Sequence, residues 1–437
     1  MARRLNFMLS ILRPFMFARQ LPVGLWLFLT MFLSVRPSIA QDQSGLIYGE
    51  VITVNEQVVR GVIRWGEAQA FWNDVFHALK TENPYLELLS GDDIHTLRRQ
   101  TTGTEIDWGF MSLWERRLPE RKEHFRCLFG DLLEIRIVDE TRLRLTFKDR
   151  STLVVSGKDA NLQTLHVTDS EGLRKRVDRD RIASIRFRST PEAPSSKRIM
   201  ALYGTVFTPQ GAFTGFIQWD EVKGLSTDLL QGKSSAGIVS IPFGRIAEIR
   251  KMEQGARVVT QNGRRYELNE TDDVSPSNHG IIVKQFELGW VRIPWDQFSF
   301  IRFESKPTET GPAYQAFAQP LPIHADVTPI EEAEITGKLI FNLDESLDME
   351  MIDGRQQGIQ YRIPLRNIQT IERRNHKVVA ISLKNGDKLF LGETAEMSDK
   401  NWGLLLAPIS APETWRYLPW NQIEWLNLFT LPQPESK

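Results

Sequence analysis

A corner built on proline recurs through this chain and constrains what it can fold into. Residues 293–303 read I-P-W-D-Q-F-S-F-I-R-F. The same pattern returns at 418–428 (L-P-W-N-Q-I-E-W-L-N-L), 241–251 (I-P-F-G-R-I-A-E-I-R-K) and 363–373 (I-P-L-R-N-I-Q-T-I-E-R), with weaker copies at 177–187 and 127–137. Proline lacks the N–H that a central strand must donate, so the Ile-Pro pair marks a strand end. The next apolar residues fall three apart, as at Phe298 and Ile301 or Ile368 and Ile371, which is the spacing of a single 3₁₀ turn. Alternation then resumes at Ile301-Arg302-Phe303, the period of a half-buried strand. Each cassette is expected to be strand, tight turn, strand. Trp295 and Trp420 are expected to plug the core, with a ligand-stacking platform as the alternative.

Between the cassettes the chain falls into three long units, each made of two halves. Tyr48-Gly49-Glu50-Val51-Ile52-Thr53 matches Tyr203-Gly204-Thr205-Val206-Phe207-Thr208. Some ten residues on, Gly61-Val62-Ile63-Arg64-Trp65 matches Gly215-Phe216-Ile217-Gln218-Trp219 and, in a worn form, Gly337-Lys338-Leu339-Ile340-Phe341. The glycine in this second motif is expected where a strand bends or where another backbone comes close. Second halves carry hairpin turns such as Asn262-Gly263 and Asn385-Gly386. The expected layout is a signal segment at 1–40, unit one at 45–189, unit two at 200–305, a flexible linker at 306–323, unit three at 324–430 and a tail at 431–437. Unit one also holds an insertion at about 67–123. There Phe71, Trp72, Val75, Phe76 and Leu79 fall on one face of an expected helix, stopped by Asn83-Pro84.

The first 40 residues hold five Arg and no acid. Residues 21–35 form an apolar run shorter than a comfortable membrane span, and Ser38-Ile39-Ala40 offers a cleavage site before Gln41. Export to a periplasmic or extracellular location is expected, with anchoring of the chain in the inner membrane by residues 21–35 as the alternative. Removing this segment leaves 49 basic against 55 acidic residues, a net charge of −6, which argues against a nucleic-acid partner. The single cysteine, Cys127, excludes an internal disulfide and reads as a buried thiol.

Each half, with its strand, turn, strand bent at glycine and closing strand–3₁₀–strand, resembles the small five-stranded barrels of the Sm-like and SH3-like type. That resemblance implies an all-β fold of three tandem double units, six half-repeats in all; a six-bladed β-propeller is the alternative. It brings no ligand-reading motif with it.

Chemistry is sparse. The seven His are scattered without zinc spacing, and no Walker, G-x-S-x-G or G-x-G-x-x-G pattern occurs. No catalytic, cofactor-binding or metal residues are assigned and no cofactor is expected. Acidic clusters at Asp92-Asp93, Asp272-Asp273 and Asp344-Glu345-Asp348-Glu350-Asp353 are expected to be solvated turns. The basic run from Arg174 to Arg181, broken by Asp178 and Asp180, reads as a solvated strand edge. The expected function is an exported, non-catalytic binding or scaffold protein of a bacterial-type cell envelope, its partner an envelope protein or glycan. One alternative is an exported hydrolase using carboxylates of the insertion, among Asp92, Asp93, Glu105 and Asp107 with His95 nearby. Another is an assembly component whose strand edges pair between chains.

Overall fold

The computed structural model describes residues 45–102, 121–158, 160–191, 200–304 and 311–431. Over these the regular structure is antiparallel sheet, with short 3₁₀ turns and one helix. The first repeat contains β1 (Tyr48–Thr53), β2 (Val58–Trp65), β3 (Val75–Lys80), α1 (Gly91–Thr102), β4 (His124–Leu128), β5 (Leu132–Ile137), β6 (Arg142–Phe147), β7 (Thr152–Ser156), β8 (Thr164–Thr168), β9 (Arg174–Asp178) and β10 (Ile182–Phe187). The second contains β11 (Leu202–Thr208), β12 (Gly211–Trp219), β13 (Leu229–Ser234), β14 (Gly237–Pro242), β15 (Ile246–Lys251), β16 (Ala256–Thr260), β17 (Arg265–Leu268), β18 (Ile281–Gln285), β19 (Gly289–Ile293) and β20 (Phe300–Phe303). The third contains β21 (His324–Pro329), β22 (Ile335–Phe341), β23 (Met351–Gln356), β24 (Ile359–Pro364), β25 (Ile368–Arg373), β26 (Val378–Leu383), β27 (Lys388–Gly392), β28 (Leu404–Pro408), β29 (Arg416–Leu418) and β30 (Ile423–Phe429).

One strand order appears three times. The first repeat runs β4-β3-β7-β6-β5-β10-β1-β2-β8-β9. The third runs β24-β23-β27-β26-β25-β30-β21-β22-β28-β29. The second follows suit as β17-β16-β15-β20-β11-β12-β18-β19, with the β14-β13 hairpin joined to it by the Lys233↔Asn269 bridge.

This order exchanges strands between the two sequence halves. In the first repeat β1 and β2 pair with β10 and β8 of the second half, while β3 and β5 pair with β7 and β6. The seam is the pair of cassette strands. Ile135 lies opposite Ile185, Ile249 opposite Ile301 and Ile371 opposite Leu426, the ninth residue of a cassette facing the ninth residue of its partner each time. The all-β class agrees with the sequence. The closed five-stranded barrels do not, and neither does the propeller: the sheets stay open. The physical reason is where the edges go. β19 of the second repeat pairs with β24 of the third, so a strand end is satisfied by the next repeat rather than by closure on itself.

Five of the six corners are 3₁₀ turns, at Phe129–Asp131, Arg179–Arg181, Phe243–Arg245, Leu365–Asn367 and Trp420–Gln422. The sixth is a hydrogen-bonded turn in which Gln297 N–H donates to the Pro294 carbonyl at 3.0 Å. Trp295 and Trp420 are buried, as is Cys127. The glycines of the second motif sit where backbones approach: a Cβ on Gly61, Gly215 or Gly337 would lie 2.2, 2.6 or 2.3 Å from the carbonyl oxygen of Thr168, Lys284 or Ala407.

The insertion differs from its sequence reading. Phe71 and Trp72 lie in a turn, and Val75–Lys80 is strand β3, with Phe76 and Ala78 facing the core and Val75 and His77 half-buried. Neighbours on both sides, β4 and β7, supply the ladder that a helix here would forgo. Asn83 instead caps a 3₁₀ turn, Pro84–Leu88, accepting the Tyr85 N–H at 3.0 Å. Helix α1 follows and lays Leu97, beside Leu89, against Ile340, Leu405 and Tyr417 of the third repeat. The described part of the 306–323 linker is also packed rather than loose. Tyr314 and Phe317 are buried against the first repeat, the Tyr314 hydroxyl donating to the Leu132 carbonyl at 2.7 Å. Among the described residues no helix is long and apolar enough to cross a membrane.

Candidate functional site

The polar chemistry of the molecule gathers where the repeats meet, and it starts from one loop repeated three times. After the second strand of each repeat the chain makes a short bridged turn, Trp65↔Gln69, Trp219↔Lys223 and Phe341↔Glu345. Five residues later comes a carboxylate: Asp74, Asp228 or Glu350. One oxygen of each accepts two N–H groups of its own loop, Ala70 and Phe71 at 2.7 and 2.9 Å, Gly224 and Leu225 at 2.9 Å each, and Ser346 and Leu347 at 2.9 and 3.1 Å. The other oxygen meets a cation from a different repeat. Lys284 pairs with Asp74, Arg64 with Asp228 at 2.9 Å and Lys80 with Glu350 at 2.6 Å. The carboxylates thus shape their own loops and fasten neighbouring repeats together.

The densest cluster lies between the first and third repeats. Lys80, on β3, sits between Glu350 and Asp344, the latter at 3.6 Å. Burial alone would lower its pKa, but Glu350 and Asp344 outweigh burial and hold the ammonium above its ordinary value. Arg121 pairs with Asp344 at 2.8 Å and stacks 4.2 Å over the Trp402 ring. Arg126, on β4, reaches Glu396 at 3.6 Å and Asp353 at 3.8 Å, and Arg366 pairs with Asp131 at 2.7 Å. Such pairs hold position strongly because removing one partner strands the other in a low-dielectric interior.

Two acids here face each other. Glu345 occupies the position of Lys223, and Glu396 that of Asp273. Asp273 accepts the Gln231 N–H of β13 at 2.6 Å, while Glu396 accepts the corresponding Asp353 N–H of β23 at 2.5 Å. Where the second repeat has the Lys223–Asp273 ion pair, the third has two carboxyl groups. Burial, with Asp344 and Glu396 adding repulsion, pushes Glu345 well above the usual carboxylate range. Burial also raises Glu396 to about 7, against the pull of Arg126. Glu345 is 3% exposed and its Oε2 has no hydrogen-bond partner.

Beside the cluster lies a cavity of about 310 Å³, lined by Lys80, Asn83, Tyr85, Phe125, Asp344 and Glu350 among others. The Tyr85 hydroxyl donates to Ser346 Oγ at 2.8 Å across its rim. Asp344 and Glu350 at its wall are already engaged by Lys80, Arg121 and backbone N–H groups. Cys127 nearby is fully buried, and burial raises its pKa well above the ordinary thiol value, so it stays a thiol and not a nucleophilic thiolate. Among the described residues no group of His, Cys, Asp and Glu is arranged to hold a metal ion.

The carboxylates singled out from sequence take other places. Asp93 closes a capping box at the start of α1, its Oδ2 accepting Ser90 N–H at 2.9 Å and Ser90 O–H at 2.7 Å. Asp92 and His95 are exposed on the same helix. Glu105 and Asp107 lie outside the described residues. The acidic run in the third repeat overturns its reading as a solvated turn: Asp344, Glu345, Asp348 and Glu350 are all buried, and so is Asp273 of the second repeat. The missed signal is interleaving. Leu343, Leu347, Met349 and Met351 alternate with these acids, which a solvated loop has no reason to do. The basic run does lie on a sheet end, where Arg174, Lys175 and Arg176 of β9 are exposed. No family model, curated protein or solved structure matches this chain.

Proposed function

We propose that the chain is an exported, non-catalytic scaffold or binding protein of a bacterial-type cell envelope, built on three strand-exchanged β repeats, and recognising an envelope protein or glycan. One observation carries this reading. The three equivalent carboxylates, Asp74, Asp228 and Glu350, give one oxygen to their own loop and the other to a cation of a neighbouring repeat. Residues that an enzyme would keep free for proton transfer are consumed here in holding three repeats at fixed positions. Fixed, repeated strand surfaces serve contact-making better than turnover. The apolar, acid-free start of the chain supports export.

The test has two arms. The full chain, expressed with its own N-terminus in a Gram-negative host, should appear in the osmotic-shock fraction with Gln41 as its first residue by mass spectrometry. The purified chain, immobilised, should then retain an envelope component from detergent extract in a saturable manner, competed by free chain. Cytosolic retention overturns the export reading. Product release from a panel of glycoside, ester and peptide substrates overturns the non-catalytic one.

A further inference from the structure

The fourth strands of the three repeats, β4, β14 and β24, are equivalent, and two of them are covered. β24 pairs with β19, Trp290 opposite Arg362, Val291 opposite Tyr361 and Arg292 opposite Gln360. β4 faces the third repeat through Arg126 and its contacts with Glu396 and Asp353. β14 pairs with β13 alone; among the described residues no strand lies along its other side. Apart from Pro242 at its end, it carries no edge protection by charge. Ile238 is 83% exposed, and from Ser234 to Gly244 the sequence S-S-A-G-I-V-S-I-P-F-G carries no charge. A bare, uncharged edge with an exposed β-branched residue is a template for another strand. The edge strand β9 shows the opposite treatment, with Arg174, Lys175 and Arg176 in a row.

We infer that β14 is a self-association edge: two copies of this chain pair their β14 strands antiparallel about a two-fold axis. The hairpin β13-β14 then becomes the middle of a four-stranded sheet. A second copy fits better than a charged partner strand, because the edge offers no charge for such a partner to meet. Antiparallel pairing of a strand with itself places Ile238, Val239 and Ser240 against the same uncharged run. An isologous contact of this kind also closes after one step. Pairing with β9 of a second copy would set three cations against an uncharged strand and leave the chain open-ended. The β19–β24 junction shows the device at work inside one chain, since a fourth strand there accepts an antiparallel neighbour over three residue pairs.

The experiment is light scattering on the full purified chain from micromolar to sub-millimolar concentration, with two sets of variants. The native chain should reach twice the monomer mass, and the double variant Ile238→Lys with Ser240→Lys should stay monomeric with an unchanged circular dichroism spectrum. Because Cys127 is buried, single Cys substitutions at 238, 239 and 240 report the axis directly. Mild oxidation should link copies at one of these positions and not at Lys233→Cys on β13. A monomer at every concentration overturns the inference, as does a dimer that survives the lysine pair. If that pair prevents folding, the cysteine set decides: no cross-link at any of the three positions also overturns it.

Discussion

Glu396→Gln tests the electrostatics that join the first and third repeats. Burial raises this carboxyl from 4.5 to about 7, while Arg126 pulls it down and Asp353 pushes it up again. In the unfolded chain the same group ionises near 4.5. Between about pH 4.5 and about pH 7 the folded protein therefore holds a proton that the unfolded chain has released. Whatever stability Glu396 contributes is present in full at the acid end and is lost as pH rises through 7. The loss is about 3 kcal/mol, at about 1.4 kcal/mol per pKa unit. Gln preserves the shape and can still accept the Asp353 N–H, but it has no proton to lose. His77 works in the opposite direction. Burial first, and then Arg126, lowers it from 6.5 to about 3, so its contribution grows as pH rises over much of the same window. The native pH profile would conceal both effects, so the informative quantity is a difference. Urea unfolding of the native chain and of Glu396→Gln, run side by side across this window, should show the variant gaining about 3 kcal/mol on the native chain towards neutral pH. A difference that stays flat, or that favours the native chain as pH rises, means Glu396 is ionised against Arg126 in the fold and refutes the reasoning.

Other substitutions probe the same design. Glu345→Lys copies the Lys223–Asp273 pair of the second repeat; it should stabilise the chain above pH 7 by about 1–3 kcal/mol in urea unfolding, the cost of the unsatisfied buried group it removes, and should erase the pH dependence assigned to Glu396. Asp74→Ala should cost about 3–5 kcal/mol because it strands buried Lys284, whereas Asp74→Leu combined with Lys284→Met should cost less than either change alone, as a double-mutant cycle will show. Trp65 donates its indole N–H to the Ala160 carbonyl at 2.8 Å, while the indole N–H of Trp420 is buried without a partner. Trp65→Phe should therefore lower stability by about 1 kcal/mol more than Trp420→Phe, read from paired denaturation curves.

Local structure was legible in the sequence, and pairing was not. Proline cannot continue a central ladder, so Pro242, Pro364 and Pro419 announce their corners, and each stands immediately before a 3₁₀ turn. The glycines of the second motif could be read for the same reason, since only a residue without Cβ tolerates the approach at Gly61, Gly215 and Gly337. What sequence spacing cannot reveal is which strand lies beside which. Two halves with the same pattern can satisfy their ladders within a half or across halves, and both choices bury the same faces. The β3 segment misled for a related reason: Phe71, Trp72, Val75, Phe76 and Leu79 match a helical stripe, but Phe76 and Ala78 also match the strand period, and the neighbours β4 and β7 decide. The buried acids were hidden because their cations, Lys80, Arg64 and Lys284, come from distant parts of the chain.

The exchange of strands explains why the charges are buried where they are. A group such as β10-β1-β2-β8-β9 draws on both ends of its repeat, so its ladders form only when both halves are present. Joining such units leaves two options. The second and third repeats use backbone, running β19 into β24. Among the described residues the first repeat has no such strand pairing to the others; it is held by side chains, through Lys80, Arg121, Arg126 and Asp131 on one side, Asp74 and Arg64 on another, and Tyr314 and Phe317 on a strap. Buried ion pairs are screened little by salt, so ionic strength should leave these junctions intact. Protonation reaches them directly. With Glu396 titrating near neutrality in the middle of the junction, pH is the variable that acts first on how the first repeat is held, and it acts there before it reaches the β19–β24 seam.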